Sequence, residues 1–221
     1  MIKISVSPCP NDLFIFFGWS LGFIKSEKPC RLEIQDVESL NQAVFQNKPL
    51  ISKISMATYP FVQHNYRLLP IGQAFSYNNG PYMFSLKENS DKKPKVIALP
   101  GKNTTAAYLA EYFYPQCEFI YCHFSDVLKK IETKIADHGV IIHELKTRKD
   151  LIEKDNLAKK WSYYFQCPLP LGGLVIKKNT DNHKEKEIID NISKSLLWGQ
   201  KNKNLLQNDL LQYSFEKNKK Y

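Results

Sequence analysis

Four short stretches of this 221-residue chain combine chemically active residue types with positions able to present them. In the first, Val140-Ile141-Ile142 delivers His143 and Glu144 to the end of a strand. A neutral imidazole there can take up a proton near neutral pH. Successive strand residues point to opposite faces, so Glu144 is expected to turn away and His143 is the candidate base. The second stretch, Pro100-Gly101-Lys102-Asn103-Thr104-Thr105-Ala106, follows a buried-strand run and opens a helix. Gly101 permits close backbone approach, and two threonines supply hydroxyls beside free helix N-terminal amides, which suits a carboxylate or phosphate. Lys53-Ile54-Ser55 is the third, a cation at a strand end followed by a serine that can cap the next helix. The fourth, Ser7-Pro8-Cys9-Pro10-Asn11-Asp12, must be a strand-to-helix loop, because two prolines cannot sit in a strand or helix interior. Asn11 or Asp12 is placed to cap the helix behind it. Taken singly, each stretch also reads as ordinary structure: a rigid turn, a surface lysine, a capping threonine. The remaining histidines, His64, His123, His138 and His183, fall in helix, strand, turn or tail contexts with no second chemical cue.

The elements that would hold these loops alternate. Ile2 to Val6 reads as a strand, Leu13 to Ile24 as a helix, Arg31 to Gln35 as a strand, and Val37, Leu40 and Val44 as the stripe of a helix capped by Asp36. Strand, helix, strand, helix predicts a parallel α/β unit, in which ligands bind at the carboxyl ends of the strands. Strands are further expected over Leu50–Ser55, Leu68–Ala74, Tyr82–Leu86, Val96–Leu99, Glu118–Phe124 and Val140–Ile142. Helices are expected from Met56 to His64, from the second loop to Tyr112, and around Val127–Ile135, with Asp137-His138-Gly139 ending the last. Leu151–Tyr164 reads as a charged, aromatic helix. Pro168 to Gly173 is a stiff connector into a strand Leu174–Ile176 that crosses back to the first domain, followed by helices near Ile188–Leu196 and Leu205–Phe215. The expected division is 1–84 with 172–221 in one lobe and 85–171 in the other.

Composition bounds the partners. The hydrophobic content is 43% with 24% charged residues, ordinary for a folded soluble protein. No apolar run is long enough to span a bilayer, so no membrane insertion is expected, and without a signal-like leader the chain reads as cytoplasmic. Five cysteines without CxxC spacing imply neither a disulfide framework nor a zinc site. The net charge of +9 is spread along the chain, with a dense patch only at Lys217-Asn218-Lys219-Lys220. That distribution points to a solvated basic surface and attraction of a small anion ahead of nucleic acid. The second loop lacks Walker A spacing, and no cofactor or metal is expected. Oligomeric state is not legible.

Taken in order, Ser7 to Asp12, Asp36-Val37-Glu38-Ser39-Leu40-Asn41, Lys53-Ile54-Ser55, Pro100-Gly101 with Thr104-Thr105-Ala106, Ile141-Ile142-His143-Glu144 and Pro168-Leu169-Pro170-Leu171-Gly172 resemble the 1,4-dihydroxy-6-naphthoate synthase family of the futalosine route to menaquinone. The resemblance implies an α/β, two-lobed periplasmic-binding-protein-like fold with a ligand cleft between the lobes. It implies a lyase that converts cyclic dehypoxanthine futalosine to the naphthoate, with His143 as proton acceptor and no redox centre. Lys53, Ile54, Ser55, Thr104, Thr105 and Ala106 would bind the substrate, with Pro10, Asn11, Asp12 and Asn41 lining the cleft. The family also continues into a C-terminal helix beyond the point where this sequence stops, so a less stable chain is expected. A chorismate-dehydratase-like protein or a solute-binding protein of the same fold is the alternative; the first lacks the paired SPCPND and IIHE motifs, and the second needs no base and carries an export signal.

Overall fold

The alternating start of the chain forms β1 (Ile2–Val6), with Ile2, Ile4 and Val6 buried in the core and Lys3 exposed. The structure, a computed structural model, describes residues 1–142 and 148–203. After β1 come α1 (Pro10–Ser20), β2 (Cys30–Ile34), α2 (Val37–Phe45), β3 (Ile51–Ser55), α3 (Tyr59–Val62), β4 (Tyr66–Leu68), β5 (Ala74–Ser76), β6 (Tyr82–Leu86) and β7 (Val96–Pro100). Then follow α4 (Thr105–Phe113), β8 (Glu118–Cys122), α5 (Val127–Glu132), β9 (His138–Ile141), β10 (Leu151–Asn156), α6 (Leu157–Phe165), β11 (Leu169–Lys177) and α7 (Asn182–Lys201).

The chain divides into two units. One holds Met1–Ile54, Tyr59–Gln73 and the chain from Gly173 onward; the other holds Ser55–Thr58 and Ala74–Gly172. Residues 55–58, 74–84 and Gly172, which the expected division assigned to the first lobe, fall with the second unit, and β6 lies in it whole.

In the first unit the strand order is β2-β1-β3-β11-β4, with β1 parallel to both β2 and β3. Parallel neighbours require the crossover helices α1 and α2 that the sequence predicted. Ile2, Ile4 and Val6 pack with Leu13, Phe16 and Phe17 of α1 and with Ile188 and Ile192 of α7. Contact between α1 and α7 is close: a Cβ on Gly18 would sit 3.1 Å from the Ser195 carbonyl oxygen. The Trp19 amide donates to Ser195 Oγ at 3.1 Å, which satisfies a buried polar pair across the two helices.

The second unit has a sheet in the order β10-β6-β9-β7-β8. β7 is parallel to β8 and β9, while β6 is antiparallel to β9 and β10. Its core sets Ile97, Leu99 and Val140 of the sheet against Ala106, Ala107, Leu109 and Ala110 of α4. Gly139 is required by packing, since a Cβ there would meet Ile131 and Val127 side chains of α5 at 2.7 Å.

Several local expectations are corrected. Leu151–Asn156 is a strand paired with β6, and only Leu157–Phe165 is helical, with Asn156 Oδ1 capping it by accepting from the Lys159 amide at 3.0 Å. Partner availability in the sheet overrides the charge pattern there. Leu68–Ala74 is no single strand; it separates into the end of β4 and the start of β5, with Gly72 at φ +80° between them. Helix α5 ends at Glu132, so His138 is a fully buried strand residue rather than a turn residue. Met56–His64 is a 3₁₀ turn, Met56–Thr58, followed by the one-turn α3. The Pro168–Gly173 connector is itself the first half of β11, with Pro170 tolerated beside a register shift in the pairing with β5. The expected helix at Leu205–Phe215 lies outside the described residues.

Candidate functional site

Helix α1 starts one residue after Cys9, with Pro10 in its first turn. Pro10 lacks an N–H to satisfy and its fixed φ is already helical, so neither Asn11 nor Asp12 serves as the cap. Pro10 and Asn11 are exposed. Asp12 instead turns inward: its Oδ2 accepts from Ser7 Oγ at 2.6 Å and its Oδ1 meets Lys53 Nζ at 2.8 Å. Both Asp12 and Lys53 are buried, at 6% and 7% exposure. Lys53 also donates to the Gly72 carbonyl at 3.0 Å. Burial, reinforced by the Asp12 carboxylate, pushes the Cys9 thiol above its ordinary value, so Cys9 is held as a thiol beside this network. Asn41 is completely buried on α2, whose N-terminus is capped as expected: Asp36 Oδ1 accepts from the Glu38 and Ser39 amides at 3.0 and 3.1 Å.

Ile54 follows Lys53 in β3, and its side chain is wholly buried with Val44, Val62, Tyr66 and Val175. Ser55, next in the strand, begins the short segment that belongs to the second unit. There the Ala57 amide donates to Thr105 Oγ1 at 3.4 Å, and Thr58 Oγ1 donates to the Asn103 carbonyl at 2.7 Å.

The second loop is organised around its threonines. Gly101 has φ +92°, a left-handed turn that suits glycine. Thr104 caps α4, with Oγ1 accepting from the Ala107 amide at 3.1 Å and donating to the Gly101 carbonyl at 3.1 Å. Thr105 Oγ1 donates to the Leu171 carbonyl at 2.8 Å. Both hydroxyls are therefore committed to holding protein segments together. What remains for an anion is the backbone: the Thr105 and Ala106 amides open the positive end of the helix and have no partner among the described residues.

Two groups of the expected residues are thus brought together: Asp12 with Lys53 in one unit, and Ser55–Thr58 with Thr104 and Thr105 in the other. His143 lies outside the described residues. Sequence reasoning missed Ser7, Gly72 and Leu171 as contributors. The first was visible in its motif; the other two act through carbonyl groups, which leave no side-chain signal. Among the described residues no group of three or more His, Cys, Asp or Glu could hold a metal ion, and no helix is long and apolar enough to cross a membrane.

Two α/β units with separate sheets, joined by strand crossings, define a two-lobed periplasmic-binding-protein-like fold. Solved structures agree: the alkanesulfonate-binding protein of Xanthomonas axonopodis is similar at 11% identity and a TM-score of 0.68, over 96% of this chain and 76% of that one. A protein of Archaeoglobus fulgidus matches with a TM-score of 0.89 and 24% identity, over 96% of this chain and 81% of that one. A family model described as menaquinone biosynthesis matches residues 2–221, and the chain belongs to that family. Curated proteins named 1,4-dihydroxy-6-naphthoate synthase from Thermus thermophilus and Streptomyces coelicolor are 28% and 23% identical over 80% of this chain. The chain spans 66% of the length of each of these relatives.

Proposed function

We propose that the chain performs the reaction its curated relatives are named for, as a carbon-carbon lyase of the futalosine pathway. Cyclic dehypoxanthine futalosine, a small anionic substrate, is cleaved to 1,4-dihydroxy-6-naphthoate. His143 is the general base. The Thr105 and Ala106 amides receive the substrate carboxylate, with Lys53, Ile54 and Ser55 as further binding residues. Family membership and the two relatives' names support the reaction. The observation that carries the binding site is the committed pair of threonine hydroxyls, which leaves two unpartnered amides at the positive end of α4. A cytoplasmic setting is part of the same reading, supported by five cysteines that are all free.

Incubating the purified protein with cyclic dehypoxanthine futalosine should release the naphthoate. His143→Asn keeps much of the shape but cannot take up a proton at neutral pH. It should lower turnover roughly 10²–10⁴-fold with little change in KM. Binding without product would instead favour a solute-binding protein, and loss of turnover in Glu144→Gln but not in His143→Asn would move the base to Glu144.

A further inference from the structure

The central position of β1 conflicts with its composition. The strand is paired on both sides, with β2 and with β3. Parallel strands inside doubly covered sheets usually read as near-continuous apolar runs, yet β1 puts Ile2, Ile4 and Val6 on one face and Lys3 and Ser5 on the other. Ser5 stands opposite Glu33 of β2 in the parallel register, so their side chains share that second face. A cavity of about 500 Å³ opens over it, a size within the usual range of small-molecule sites.

The lining has two characters. Ala43, Pro49 and Leu50 give it an apolar wall, while three lysines, Lys3, Lys48 and Lys184, line it with one acidic residue, Glu33. Lys3 is paired with Glu33 at 2.9 Å, and neither Lys48 nor Lys184 has an ion-pair partner among the described residues. Ser5 is 6% exposed, and its hydroxyl, which faces this cavity, has no hydrogen-bond partner among the described residues. A nearly buried donor left open beside two unpaired ammonium groups is suited to a ligand oxygen.

We infer that this cavity is a second ligand site, one that takes a small organic anion: a carboxylate on an apolar body. The carboxylate meets Lys48, Lys184 and the Ser5 hydroxyl, and the body lies on Ala43, Pro49 and Leu50. The cavity runs from the amino ends of β1 and β3 along β1 to Ser5, and neither Asp12 nor Lys53 is among the residues that line it. The inference does not depend on the reaction proposed above.

Calorimetric titration of the whole chain with 2-naphthoate tests it, with 2-naphthalenemethanol and inorganic phosphate as comparators. Saturable binding of naphthoate is expected, at least about tenfold tighter than either comparator. The double variant Lys48→Glu/Lys184→Glu should weaken it at least about tenfold, and the milder Lys48→Gln/Lys184→Gln less so, each with an unchanged melting profile. Thr105→Leu should leave this binding as it is. Absence of saturable binding would overturn the inference, as would binding insensitive to both lysine pairs. Phosphate binding as tightly as naphthoate would overturn the organic character of the ligand.

Discussion

Asp12 Oδ1 and Lys53 Nζ form a buried ion pair at 2.8 Å between the first helix and the third strand, with Ser7 and the Gly72 carbonyl completing its hydrogen bonds. Desolvating two charges is costly, and these secondary hydrogen bonds are what make such a pair tolerable. Removing one partner leaves the other buried and uncompensated. Lys53→Met should therefore cost about 3–5 kcal/mol, read from denaturant midpoints, while Asp12→Asn/Lys53→Met should recover part of that loss. Strict additivity of the two single variants would show that the pair is not coupled.

Thr104 and Thr105 should separate by function. Thr104→Ala removes the α4 cap and should lower stability by about 1 kcal/mol. Thr105→Leu removes the tie to Leu171 and to Ala57, displaces the amides proposed to hold the carboxylate, and should raise KM more than it lowers kcat. An unchanged KM would remove this segment from the substrate site.

Gly72 should not accept a side chain. Its φ of +80° is left-handed, and a Cβ there would sit 2.3 Å from Leu174 Cδ1. Gly72→Ala combines backbone strain with a steric clash and should destabilise the chain by about 1–3 kcal/mol. A denaturation midpoint equal to that of the parent would contradict the turn geometry.

Alkaline pH should weaken the fold partly through Cys30. Burial pushes this thiol up to about 12 from the ordinary 9.0. Between those values the unfolded chain has lost a proton that the folded chain keeps, so stability falls as pH rises, while below pH 9.0 the contribution is level. The slope from this one group reaches at most about 1.4 kcal/mol per pH unit. Cys30→Ala should flatten the decline by that portion, measured as midpoint differences between about pH 8 and about pH 11. Parallel profiles for the two proteins would remove Cys30 from the effect.

Much of the architecture was legible because its signals are local. The alternation of Ile2 to Val6, the Asp36 cap and the Thr104 cap each depend on residues a few positions apart. Leu151–Asn156 was not legible, because a charged stretch becomes a strand when β6 offers it a paired edge. His138 escaped for a related reason: the end of α5 at Glu132, marked by Lys134 at φ +58°, leaves room for the strand to begin earlier than Val140. Asp12 does not cap α1 because the helix already begins at Pro10, and its carboxylate turns instead to Lys53.

The sequence by itself determined the alternation of strands and helices, the positions of the anion-suited loops, the motif order that carries the family, and the proposal of His143, since each rests on residue type and short spacing. Only the tertiary structure decided that Lys53 answers Asp12, that the Thr104 and Thr105 hydroxyls bind protein rather than remain open, that the Ile54 side chain belongs to the core, and that a cavity lies over the polar face of β1. Those outcomes depend on which distant groups packing brings within hydrogen-bond distance. Burial then sets their energies, because an unpaired polar group costs far more in the interior than in water.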